Sequence, residues 1–153
     1  MEVKSTLRVI DQARVEPGVG VTEGQTMKRL VGCPDVPTDR VRVGLANYAP
    51  GTIEALHWHP IEAFYYIISG HATVRDIEGN EFEVGPGTAL YAPAGIAGAH
   101  EWEVKEGLQL LAVRATTESV KKMQFTVDKE TKRSYIELDE LARRDGLSFK
   151  SHY

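Results

Sequence analysis

A chain of 153 residues with ordinary apolar content is most simply one domain, long enough to bury a real core. Its formal net charge of −4 argues against a nucleic-acid partner, which calls for a basic patch. No run of 18 or more apolar residues is present to span a membrane, and the lone Cys33 excludes an intramolecular disulfide.

The opening residues, Met1 to Thr6, lack the apolar core of a signal peptide, which predicts a cytoplasmic location. The first 35 residues are weakly patterned, with 7–10 and 26–31 as candidate outer strands. Gly32-Cys33-Pro34 reads as a turn, so Cys33 is taken as structural. The middle of the chain is strands and turns. Segments 40–48, 53–58, 63–68, 71–77, 81–84, 88–92 and 108–115 are rich in Val, Ile, Tyr, Leu and Thr. Gly or Pro signals separate them, at Pro50-Gly51, Ser69-Gly70, Gly79, Gly85-Pro86-Gly87 and Pro93-Ala94-Gly95. Short strands so punctuated indicate an all-β sandwich or barrel. The stretch from Asp76 to Phe82 predicts a hairpin, with Gly79 or Asn80 at positive φ. After Ala115 the composition turns polar. There Leu138, Leu141 and Ala142 fall at helical spacing, with Gly146 as a stop, which predicts a short amphipathic helix. The expected organisation is N-terminal strands over 1–35, a barrel core over 36–115 and an extension over 116–153, all within one domain.

The chemistry concentrates in Gly51-Thr-Ile-Glu-Ala-Leu-His57-Trp-His59-Pro60. Side chains alternate along a strand, so two histidines two apart point to the same face. Two imidazoles converging from one face make half of a metal site, and imidazole suits zinc, copper, iron and nickel.

Gly51, five residues, His57-x-His59 and a closing Gly70 resemble the first motif of the cupin superfamily. Gly87, Pro93 and Gly95 stand where that family's second motif has its Gly, Pro and Gly, so the resemblance covers roughly residues 51–104. It implies a small antiparallel β-barrel of jelly-roll type, homodimeric or higher, with a metal inside. The departures are informative. The carboxylate ligand that the family separates from the closing glycine by six residues falls at Ala63 here. Glu62 is next door, and alternation turns it to the other face unless a bulge rotates it. The last family histidine is due at Gly98, and His100 lies two residues later in a Gly/Ala-rich turn. A shift of two preserves the facing of the strand that follows. The family's Asn after that histidine is Val104 here. His57, His59 and His100 are therefore the expected ligands.

Three neutral imidazoles would leave the ion its full +2 charge, favouring an anionic or chelating carbonyl or enolic ligand. Three protein ligands also leave positions open for substrate, as catalytic sites do. Among cupins, a three-histidine site without the Glu resembles the acetylacetone-cleaving dioxygenase. That resemblance implies ferrous iron, with zinc, nickel or manganese as alternatives, and oxygen-dependent cleavage of a carbon–carbon bond in a small molecule. A metal-dependent isomerase, lyase or cyclase without oxygen chemistry stays open, as does a non-catalytic ligand-binding barrel. Ala63 and Tyr65 should face the pocket, with Tyr65 able to donate to a developing oxyanion. Trp102, Tyr91 and Gln109 are further candidate substrate contacts. Glu54 and Glu62 are candidate carboxylates to accept the N–H of a ligating histidine.

Overall fold

The computed structural model describes residues 1–116 and 124–134, so the helix expected around residues 138–142 lies outside the described part. Among these described residues eleven strands form: β1 Gly18–Val19, β2 Gln25–Val31, β3 Arg42–Tyr48, β4 Ile53–Trp58, β5 Ala63–Ser69 and β6 Ala72–Asp76. They continue as β7 Glu81–Val84, β8 Ala89–Ala92, β9 His100–Val104, β10 Leu108–Arg114 and β11 Phe125–Thr126. One sheet runs β1-β2-β3-β10-β5-β8 and the other β11-β4-β9-β6-β7, with every pairing antiparallel.

Two expectations need correction. Among the described residues no strand of one sheet pairs with a strand of the other, so the architecture is two facing sheets rather than a closed barrel. The chain crosses between sheets at Pro50 and again at Pro60, where a missing N–H ends ladder pairing. Residues 7–10 form no strand: Leu7 and Val9 are exposed, because β1 already occupies the outer edge of β2. In the β6–β7 hairpin it is Gly79 that takes the positive φ, +88°.

The core lies between the sheets and follows strand alternation. On β5, Ala63, Tyr65 and Ile67 are buried while Phe64, Tyr66 and Ile68 face outward. On β10 the inward series is Leu108, Leu110, Ala112 and Arg114. Each fully buried aliphatic here, such as Ile67 or Leu110, contributes about 2 kcal/mol from area removed from water. A second apolar cluster, Leu56, Trp58, Ala99, Phe125 and Val127, packs on the other side of β4. There β11 lies along the histidine strand, with Phe125 opposite Trp58 and Thr126 opposite His57. No helix among the described residues is long and apolar enough to cross a membrane.

Candidate metal centre

His57 sits near the end of β4, His59 follows just past it, and His100 opens β9 directly opposite His57. All three are buried, and one donor atom from each lies within 4.8 Å of the others. The displaced third histidine has a local cause. Residues Ile96–Gly98 form a single 3-10 turn, and a Cβ at Gly98 would run into the Pro93 carbonyl. That tight turn aims the Gly98 carbonyl at His100, whose Nδ1–H it accepts at 2.9 Å. The Ala55 carbonyl does the same for His57 at 2.7 Å. A carbonyl only accepts, so Nδ1 carries the proton in both rings and Nε2 carries the lone pair.

The His57 Nε2 is buried with no hydrogen-bond partner. Burial pulls the His57 pKa down to about 4 and that of His100 to about 3, so both rings are neutral at pH 7. Neutral, oriented imidazoles with converging lone pairs are the donor set a divalent metal requires.

Glu54 adds a feature that alternation does not predict. Glu54 pairs with Trp102 and His57 with His100, so three steps on β4 match two on β9. This bulge turns Glu54 toward the same side as His57. The Glu54 carboxylate is buried, accepts the Tyr48 hydroxyl at 3.0 Å, and stands 3.7 Å from His57 Nε2. Gln25 in turn donates to the Tyr48 oxygen at 2.7 Å. A carboxylate facing an imidazole lone pair is repulsive unless a cation lies beside both, which again fits a metal. The expected role is corrected accordingly. Backbone carbonyls take the Nδ1–H groups of His57 and His100, and Glu54 lies on the donor side instead.

The other candidates separate. Glu62 faces away from the histidines and accepts the Tyr91 hydroxyl at 2.7 Å near the surface, so it holds no histidine N–H. Gln109 falls between inward Leu108 and Leu110, points outward, and donates to Asn47 at 3.1 Å. It is therefore removed from the pocket by strand alternation. Ala63 is buried and faces inward, opposite Arg114 on β10 and Ala92 on β8. Tyr65 reaches the centre of the cluster: its hydroxyl is 3.2 Å from His100 Nε2 and 3.4 Å from His59 Nε2. Burial pushes its pKa up to about 12, so it stays a protonated donor. Trp102 stands edge-on to Tyr65, with ring centroids 5.4 Å apart. A cavity of about 230 Å³ opens from Tyr65 and His100, past Leu90 and Pro93, to a mouth flanked by exposed Phe82 and Tyr91. Drug-sized pockets run to about 300–1,000 Å³, so this one suits a small ligand.

Sequence reasoning missed Arg114. Its position continues the inward series 108, 110, 112, which was the available signal. The side chain is buried, its guanidinium lies 5.1 Å from the centre of the Tyr65 ring, and its Nε and Nη1 have no hydrogen-bond partner. Cation–π contact returns about 0.5–2 kcal/mol. Desolvating an ion costs several kcal/mol, so the ring alone does not offset its burial.

Residues 44–114 match the Cupin domain family. Solved structures with the same fold include the polyketide cyclase RemF from Streptomyces resistomycificus, 20% identical with a TM-score of 0.65 over 74% of this chain and 81% of that one. The oxalate decarboxylase of Bacillus subtilis is 22% identical with a TM-score of 0.60, over 80% of this chain but only 33% of that larger one. KdgF from Halomonas sp. is 18% identical with a TM-score of 0.60, over 72% of this chain and 94% of that one. At these identities the likeness carries the fold alone. No curated protein matches the chain. The matched segment contains all three clustered histidines and the strands that present them.

Proposed function

We propose that His57, His59 and His100 hold a divalent metal, ferrous iron, in an enzyme that cleaves a carbon–carbon bond of a small chelating carbonyl or enolic substrate with dioxygen. The observation that carries this reading is the convergence of three buried imidazoles, with Ala63 where a carboxylate ligand would stand. Bound iron would supply Lewis acidity toward the substrate oxygens and a site for dioxygen. The chain's own residues do the rest. Tyr65, protonated and already within hydrogen-bond distance of two ligand nitrogens, donates to a substrate oxygen as negative charge develops on it. Leu90 and Pro93 line the cavity beside Tyr65 and buried Trp102 packs on the Tyr65 ring, so the donated bond acts in largely apolar surroundings. Glu54 places a negative charge beside the histidines and balances part of the metal's charge.

The test is elemental analysis of protein prepared without chelators, followed by aerobic incubation of the iron-loaded protein with β-diketones. Stoichiometric oxygen uptake with product acids supports the reading. No uptake with any diketone or hydroxy-ketone overturns the dioxygenase. A second reading, a metal-dependent isomerase, lyase or cyclase without oxygen chemistry, is favoured by the same Tyr65 hydroxyl, because a fixed proton donor serves enolisation equally well. Protein that carries zinc or nickel and turns over a ketone without consuming oxygen selects this second class.

A further inference from the structure

The two sheets turn different surfaces to the outside. On the five-stranded sheet the outward positions carry ion pairs: Arg75 meets Glu81 at 2.8 Å, Glu101 at 3.1 Å and Glu103 at 2.7 Å. On the six-stranded sheet the outward positions of β3, β10, β5 and β8 carry no charged side chain. An antiparallel sheet with one solvated face alternates apolar and polar residues. β5 does not, because every position from Ala63 to Ile68 is aliphatic or aromatic. Its outward side chains Phe64, Tyr66 and Ile68 are 39%, 43% and 43% exposed, and Tyr91, opposite Phe64 on β8, is 62% exposed. Half-buried Leu111 and Val113 on β10 continue the patch. Toward β2 the same face is covered in part by the chain itself, where Lys28 donates to the Gln12 carbonyl at 2.9 Å and Leu45, opposite Lys28, is buried.

We propose that this outer face of β10, β5 and β8 packs on the same face of a second copy of the chain, in a closed two-fold pair. Three observations select a second copy as the occupant. The first is area. The four exposed side chains present on the order of 400 Å². A standard interface buries roughly 800 Å² on each partner, about 60% of it apolar, so these four with Leu111 and Val113 supply the apolar part of one such face. The second is charge. A two-fold contact sets each residue near the axis against its own image, and a face without charged residues meets no like charge there. The third is the path of the chain. It leaves this sheet at Arg114 to form β11 in the other one, and Ser134, at the end of the described residues, donates to the Thr126 carbonyl there at 2.8 Å. Tyr91 also flanks the mouth of the cavity that opens from Tyr65 and His100, so the second copy stands at the entrance to the candidate centre. The inference is independent of which metal or reaction that centre serves.

Sedimentation velocity on the full chain, from about 1 to 50 µM, should give the mass of two chains throughout, as a standard-size interface holds. Tyr66→Glu and Ile68→Lys each set like charges across the axis, and each should weaken the pair on the order of 100-fold or more. Ile53→Glu is the control: Ile53 is equally exposed to solvent on the outer face of the other sheet, opposite Glu103, and its variant should stay paired. Circular dichroism checks that each variant keeps the fold. In the paired wild type Tyr66 should resist nitration, read by mass spectrometry. A pair that survives both charge variants, or one that Ile53→Glu breaks as readily, overturns the proposal. So does a wild-type mass of one chain. With Tyr66 then protected, the face belongs to residues 135–153 of the same chain; with Tyr66 reactive, it is left to a different protein. If neither charge variant folds, the wild-type mass and Tyr66 nitration decide, and a pair whose Tyr66 reacts as freely as a solvent-exposed tyrosine sinks the assigned face.

Discussion

The two sheets serve the candidate centre by opposite means. In the six-stranded sheet the stretch that faces the site is regular: β5 and β10 pair in step from Ala63 to Ile67, which delivers Ala63, Tyr65 and Arg114 by alternation, and the register shift of this pair lies beyond it, between Gln109 and Leu110. The five-stranded sheet delivers the histidines through departures from regularity. A bulge between Glu54 and His57 turns a carboxylate inward, and a 3-10 turn closed by Gly98 sets His100 opposite His57. Regular strand geometry builds a wall that tolerates repacking. Bulges and tight turns fix individual atoms, which is what converging donors require.

The largest test of that contrast falls on the irregular sheet. His57→Ala and His100→Ala should each lower bound metal more than tenfold, read by elemental analysis of protein prepared without chelators. Unchanged metal in His100→Ala would remove that residue from the centre. On the regular sheet, Tyr65→Phe should keep the metal and lower turnover roughly 100-fold, because one donor to a developing oxyanion is lost. Equal turnover would reduce Tyr65 to a wall of the cavity. Next in size is Glu54→Gln, which keeps the shape and removes the charge. Metal affinity should weaken roughly tenfold, measured by competition with a chromophoric chelator, and unaltered affinity would confine Glu54 to its bond with Tyr48.

The smallest effect concerns the metal-free protein and pH. His57 and His100 have folded-state pKa values near 4 and 3, below the ordinary 6.5, so between those limits the unfolded chain binds more protons than the folded one. Stability therefore falls as pH drops from about 6.5 toward 4, and it is regained on returning to neutrality. Urea midpoints at pH 7 and pH 5 should differ in that direction, and a midpoint that holds or rises at pH 5 contradicts the assigned burial of neutral rings.

Much of this is legible in the chain itself. The all-β class follows from the Gly and Pro punctuation, and the pair His57 and His59 follows from alternation. His100 is reachable because a shift of two leaves facing unchanged. What escapes has a common physical cause. Alternation counts residues, and a bulge inserts one, so the inward turn of Glu54 cannot be read by counting. Gln109 looks like a pocket residue only until its neighbours Leu108 and Leu110 prove to be the inward pair. Arg114 lies on the inward count, but an arginine at the end of an apolar stripe reads as a strand terminus unless the opposite residues are known. Two facing sheets and one closed barrel also present the same sequence periodicity, and only the strand pairing separates them.

The short strand β11 has a consequence for handling the protein. It is the only strand outside β4 in its sheet among the described residues, and it covers His57 and Trp58. A chain cut after residue 116 would leave β4 with a bare row of N–H and C=O groups beside an uncovered Trp58. Such an edge invites pairing with a second molecule. A truncated form should thus self-associate through its histidine-bearing strand, giving concentration-dependent light scattering where the full chain gives none.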